Sequence, residues 1–213
     1  VQPHRTKNKA TLGGQANSGD TAADLGLHVD GTQHAETPAV LIFHYIAGAK
    51  VGANSVFIDI AKALLDIEEE RRYEILMNLA RPDAAACSKK DMTHTGPIFY
   101  FSPTGSLVCR LRFDEVMQVH TECRDDYEFL RERFNDQRYA MEFRPREGDI
   151  IVFDNWRVMH ARDEVYGMHV RRHWRAWVST LKSTLLPNYY LGIRPIPLEI
   201  AAKIKVVNVS ASS

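Results

Sequence analysis

Cysteine, net charge and long apolar runs are all scarce in this chain, and each scarcity excludes something. Its 213 residues include three cysteines, Cys87, Cys109 and Cys123, odd in number and without a CxxC spacing. That excludes a disulfide framework or a zinc ribbon and fits reduced thiols in an intracellular, cytoplasmic protein. No apolar run approaches the length of a bilayer span and no secretory signal is visible, so no membrane partner is expected. The chain starts without Met, which leaves room for a targeting segment ahead of residue 1. Lys+Arg and Asp+Glu both total 27, so no charge excess draws it toward nucleic acid or an anionic surface. With 45% hydrophobic and 25% charged residues, and no internal repeat, the rest is ordinary for one globular domain with a sizeable core.

Residues 1–24, rich in Gly, Ser, Thr, Asn and Lys, read as a flexible N-terminal arm or the remnant of a longer N-terminal region; 25–213 read as the catalytic domain. Residues 39–46 form a strongly apolar, β-prone run, and 55–59 a further short strand. Residues 60–79 carry an imperfect apolar stripe at helical spacing, with a charged centre at 68–72. Residues 81–96 read as a polar loop, and 97–101 and 107–113 as a hairpin in which Arg110 and Arg112 share one face. That face is read as solvated, with a substrate-anion site as the alternative. An exposed helix over 125–135 follows, then strands at 139–144, 150–153 and about 170–178. Many short strands with one or two helices predict a mainly β sandwich with α additions.

The segment after the 150–153 strand delivers Asp154, Asn155 and then His160. A lone histidine there is most simply a satisfied core residue, unless other ligands join it. Non-haem iron sites use two neutral imidazoles and one carboxylate, leaving the opposite positions open. His-x-Asp or His-x-Glu places two such groups on one side of a strand, because side chains alternate with period two. With nine histidines and 27 acids, chance alone yields about one such spacing, and three occur: His28-Val-Asp30, His34-Ala-Glu36 and His120-Thr-Glu122. The first is preferred because it follows an apolar step and precedes the strongest strand. A keto-diacid co-substrate would also need a bidentate cation beside a hydroxyl, for which Arg171 or Arg172 and Ser55 are candidates. Neighbours on a strand face opposite ways, so only one of the two arginines can point inward.

The run Phe153-Asp-Asn-Trp-Arg-Val-Met-His160-Ala-Arg162 resembles the distal-histidine signature of the taurine dioxygenase-like (TauD/TfdA) Fe(II)/2-oxoglutarate oxygenases. It is most similar to the γ-butyrobetaine and trimethyllysine hydroxylase branch. The resemblance covers about 25–177, weakly over 81–138, and includes His28, Asp30, Pro38, His44, Gly52, Ser55 and Asp59. It implies a jelly-roll (double-stranded β-helix) core. It also implies Fe(II), 2-oxoglutarate and O2 as cofactors and co-substrates, His28, Asp30 and His160 as metal ligands, and Ser55 beside the co-substrate carboxylate. Spacing in one branch selects Arg171 as the carboxylate's partner, with Arg175 then at an anionic-substrate position. Local sequence in the other branch selects Arg172, the preferred reading. Betaine hydroxylases cage a quaternary ammonium with aromatics. One cage position falls on Asp20 here, which argues against a trimethylammonium substrate, while Trp177 retains another.

The implied reaction oxidises, most simply hydroxylates, an unactivated C–H bond of a small-molecule substrate while 2-oxoglutarate yields succinate and CO2. Desaturation and cyclisation share its opening steps, and Asp30 argues against halogenation. Arg112 is a further substrate candidate, and a homodimer is the expected assembly. Two rivals stand beside this reading: a zinc hydrolase at the same ligands with Glu36 as base, and a non-catalytic jelly-roll binding module.

Overall fold

Alternating apolar runs build two four-stranded antiparallel sheets that face each other. The protein is described by a computed structural model over residues 2–5, 24–47, 52–70, 72–89, 91–102, 105–164 and 172–178. The strands are β1 (Gln2–Arg5), β2 (Leu25–His28), β3 (Val40–Ala47), β4 (Ser55–Asp59), β5 (Ala85–Lys89), β6 (Met92–Gly96), β7 (Phe99–Phe101), β8 (Leu107–Cys109), β9 (Met117–Val119), β10 (Ala140–Phe143), β11 (Ile150–Asp154), β12 (Val158–Arg162) and β13 (Arg172–Val178). The helices are α1 (Ile60–Glu69), α2 (Tyr73–Leu79) and α3 (Arg124–Phe134). One sheet runs β1-β13-β3-β11 and the other β10-β4-β12-β2, with smaller sheets β6-β5-β9 and β7-β8.

Leu41, Phe43 and Tyr45 alternate inward along β3, and the Phe43 ring lies 5.6 Å from that of His160 on the opposing sheet. Phe57 on β4 meets Phe153 on β11 at 5.1 Å. The other face of the second sheet carries Leu27, Ile58 and Met159 into a larger core with the helices, where Ile60, Ile67, Ile75, Leu130 and Phe134 are buried. Both faces of that sheet are therefore covered, and its His160-bearing face looks onto the smaller, partly polar interior.

The strands expected near 39–46, 55–59, 139–144, 150–153 and 170–178 all form, as does the expected hairpin, shortened to β7 and β8. Three expectations need correction. The 60–79 helix is two helices, because no apolar residue continues the stripe between Ile67 and Tyr73, and Glu70 is instead drawn to Arg133 by two hydrogen bonds of 2.7 Å. Residues 85–96 form a β5–β6 hairpin rather than a loop, in register Cys87↔His94. Its polar residues face outward while Ala85 and Cys87 are buried, a one-sided strand whose small residues left little apolar signal. Residues 2–5 pair with β13. The α3 helix is half-buried through Tyr127, Leu130 and Phe134 rather than exposed.

Arg110 and Arg112 are not on a solvated face either: they are 3% and 2% exposed. Arg110 donates to the Thr32 carbonyl, and Arg112 grips Asp114 with two bonds and reaches the Thr32 hydroxyl at 3.2 Å. All three cysteines are free and buried, and burial pushes the Cys109 thiol up to about 12. Among the described residues, no helix is long and apolar enough to cross a membrane.

Candidate metal centre

His28 ends β2 and His160 lies in the middle of β12. The two strands are antiparallel neighbours with these residues directly opposite, and the ring centroids are 4.3 Å apart. The sequence places His160 at the far end of the 150–153 strand. In the fold it sits on a strand of its own, in the other sheet, reached through the turn 155–157.

Asp30 follows β2 in a turn that demands glycine at position 31. Gly31 has φ +76°, and a Cβ there would fall 2.4 Å from Pro38 Cδ. The turn is stapled by Asn155, fully buried. Its Oδ1 accepts from the Asp30 amide at 3.0 Å, and its Nδ2 donates to the carbonyls of Asp30 at 3.0 Å and Pro38 at 2.8 Å. The rest of the Asp-Asn-Trp-Arg turn braces its surroundings. Trp156 Nε1 donates to the Thr37 carbonyl at 2.9 Å, and Arg157 binds Asp59 through Nε at 2.8 Å and Nη2 at 2.6 Å. Asp59 in turn caps α1 through the Ala61 amide. None of these bracing roles was assigned from the sequence; the only signal was a polar turn directly ahead of the distal histidine.

One ligand atom from each of His28, Asp30 and His160 lies within 4.8 Å of the others, and all three residues are buried. Asp30 Oδ1 is 3.3 Å from His28 Nε2 and 4.0 Å from His160 Nε2. His28 Nδ1 is 2.8 Å from the Gly26 carbonyl and donates there, which turns Nε2 toward Asp30 as the nitrogen that could hold a metal. His160 is packed against Phe43, Phe57 and Phe153. Burial, then the neighbouring His28, hold its imidazole well below its ordinary pKa, so it stays neutral as a ligand must. Burial works against ionisation of Asp30, but the Arg175 guanidinium and the His28 imidazole outweigh it and hold the carboxyl well below its usual range. Two imidazoles and an ionised carboxylate fit a divalent metal of the non-haem iron kind.

The adjoining pocket is lined by Ser55, Arg162, His173 and Arg175 beside the two histidines. Ser55 and Arg162 are cross-strand partners, and Ser55 Oγ lies 3.5 Å from the Tyr45 hydroxyl. Arg162 is 4% exposed. Its parity with His160, two residues earlier, was the sequence signal that it faces the same way.

The other expected site residues are dispersed. Arg172, the preferred candidate, is exposed at the start of β13, across a register shift from His173, and is not among the residues lining the cavity. Arg171 and Asp20 lie outside the described residues. Arg112 is committed to Asp114. Arg175 and Trp177 both reach Asp30. Glu36 is exposed, His34 packs on Trp177, and His120 lies near Asp83, so neither rival motif joins the cluster.

Asp154 follows a different rule from Asp30. Burial raises its pKa despite the bond from the Trp156 amide, and among the described residues no hydrogen-bond partner reaches its Oδ2. A raised acid favours the fold below its unfolded pKa and loses that advantage as pH climbs through the folded value. Asp154→Asn keeps an acceptor for Trp156 and is expected to hold or raise the melting temperature at pH 7, with the difference vanishing near pH 3; a marked loss at pH 7 would contradict this.

The family described as taurine catabolism dioxygenase TauD, TfdA matches residues 2–177. The chain belongs to that family. Among curated relatives, this TauD-family chain is 24% identical over 168 residues to the trimethyllysine dioxygenase of Meyerozyma guilliermondii, covering 69% of this chain and 40% of that protein. It is 29% identical over 154 residues to the gamma-butyrobetaine dioxygenase of a Pseudomonas species, covering 67% and 40%. It thus spans about two fifths of the length of these relatives. The solved non-heme iron oxygenase OrfP, in complex with Fe and alpha-ketoglutaric acid, shares the fold with TM-score 0.62 at 18% identity, covering 84% of this chain and 56% of that one. Asparagine oxygenase gives 0.61 at 14% identity, covering 76% and 52%. The jelly-roll core that the family resemblance implies is the fold of these structures.

Proposed function

We propose that this chain carries the core of an Fe(II)- and 2-oxoglutarate-dependent dioxygenase that hydroxylates a C–H bond of a small molecule, releasing succinate and CO2. The observation that carries the reading is the convergence of His28, Asp30 and His160 between the two sheets of a TauD-family jelly roll.

Bound iron and its keto-acid co-substrate supply oxygen activation. The chain's own residues position and shield it. The Gly26 carbonyl fixes the His28 tautomer, and burial keeps His160 neutral. Phe43, Phe57 and Phe153 exclude water behind the His160 imidazole. In this reading Arg162 and Ser55, opposite each other on β12 and β4, take the distal carboxylate of 2-oxoglutarate. Trp177 makes a poor wall for a trimethylammonium cage, because Arg175 already stands 5.1 Å over its ring.

Anaerobic addition of Fe(II) and 2-oxoglutarate is expected to produce a visible charge-transfer band. A protein that binds both without the band, or neither, overturns the reading. Cationic amino acids, betaines and nucleoside-like compounds should then be screened for substrate-dependent succinate.

A charge-assisted hydrogen bond contributes about 1.5–3 kcal/mol, so Arg162→Ala is expected to raise the half-saturating 2-oxoglutarate concentration by about 10–100-fold. Arg172→Ala should leave it within about twofold. The reverse ranking would return the carboxylate to β13.

A further inference from the structure

Asp30 presents its two oxygens to different partners. Oδ1 faces both imidazoles, at 3.3 Å and 4.0 Å. Oδ2 accepts from Arg175 Nη1 at 2.7 Å and from Trp177 Nε1 at 3.1 Å. Asn155 already pins the backbone on both sides of this carboxylate, leaving rotation of the carboxyl group as its main freedom. The two donors remove that freedom.

They also come from elsewhere in the fold. His28, Asp30 and His160 belong to β2, the turn after it and β12, in one sheet; Arg175 and Trp177 lie two residues apart on β13 in the facing sheet and so point the same way. The pair is itself held: the Arg175 guanidinium covers the Trp177 ring, and the edge of that ring meets His34 at 5.6 Å.

We propose that Arg175 and Trp177 are positioning residues that restrict Asp30 to one ligating oxygen. A carboxylate with both oxygens free can bind a divalent ion through one or both. In a site that must admit a bidentate keto acid and O2, a second carboxylate oxygen would take a position the chemistry needs. With Oδ2 engaged by a cation and an indole N–H, only Oδ1 is offered to the ion. The inference rests on the metal-site reading above and adds what sets its coordination number.

Anaerobic titration with Co(II) tests it, read by affinity and by the ligand-field absorption of the bound ion. Trp177→Phe keeps the ring and deletes one donor; it is expected to shift the Co(II) bands and weaken Co(II) binding by about tenfold, as loss of an outer-shell partner does. Arg175→Met should shift the bands in the same direction, and Arg175→Lys, which retains a cation, should restore them toward wild type. Because both donors act on one oxygen, the effects of Trp177→Phe and Arg175→Met should combine less than additively.

Wild-type spectra and affinities in Trp177→Phe and Arg175→Met, with binding still lost in His160→Ala, overturn the clamp and leave the metal site standing. Failure of the wild-type protein to bind Co(II), or binding that survives His160→Ala, overturns the metal site itself.

Discussion

With alanine at position 160, the protein is expected to bind Fe(II) or Mn(II) more than about 100-fold more weakly and to form no charge-transfer band with 2-oxoglutarate. Removal of outer-shell partners alone costs about 10–100-fold in metal affinity, and loss of one of three protein ligands should exceed that. The size of the effect follows from where His160 sits. Its ring is enclosed by Phe43, Phe57 and Phe153, and β12 holds it directly opposite His28. Anaerobic calorimetry with Mn(II) supplies the affinity, and circular dichroism shows whether the fold survives. Affinity within a few-fold of wild type, in a folded variant, would remove His160 from the site. Asp30→Ala should match it in affinity while also stranding Arg175 and Trp177 without their shared acceptor.

The largest loss of stability is expected from Asp114→Ala. Arg112 is 2% exposed, held by Asp114 through both Nε and Nη2, and its backbone carbonyl accepts from the Tyr127 hydroxyl at 2.8 Å. It also bridges by backbone to His28, so the pair ties the metal strand to α3. Removing one partner of a buried ion pair costs about 3–5 kcal/mol, because the other charge is left uncompensated. For a domain of this size that lowers the melting temperature by about 6–20 °C.

Burial opposes ionisation of Asp114, but the Arg112 hydrogen bond and charge outweigh it, and the carboxyl sits below its ordinary range. A depressed acid contributes stability above its unfolded pKa, about 3.9, that is lost as pH falls through the folded value. Wild type and variant should therefore converge in stability on acidification below that pH. Replacing both partners, Arg112→Met with Asp114→Leu, should cost less than Asp114→Ala alone; if it costs more, the pair contributes beyond charge compensation.

The candidate metal cluster was legible because ligand chemistry restricts it to few residue types and the strand period restricts their spacing. His28 and Asp30 stand two apart beside a strong apolar run, and His160 closes a distinctive turn. Ser55 and the main strands were legible for a related reason: β-branched and aromatic runs, and period-two alternation, are local properties. What surrounds the ligands was not local. The small residues of β5 gave no hint that a hairpin forms there, and Arg110 and Arg112, two alternating cations, looked solvated although they are nearly fully buried. Arg172 and Arg175 stand three apart on β13 and so face opposite ways; the pairing of β13 with β3 leaves Arg172 exposed while Arg175 lines the cavity. The sequence by itself determined which groups can hold a metal. Only the packing of one sheet on the other decided which arginines reach them, because a strand's alternation sets relative faces while pairing and bulges decide which face looks inward.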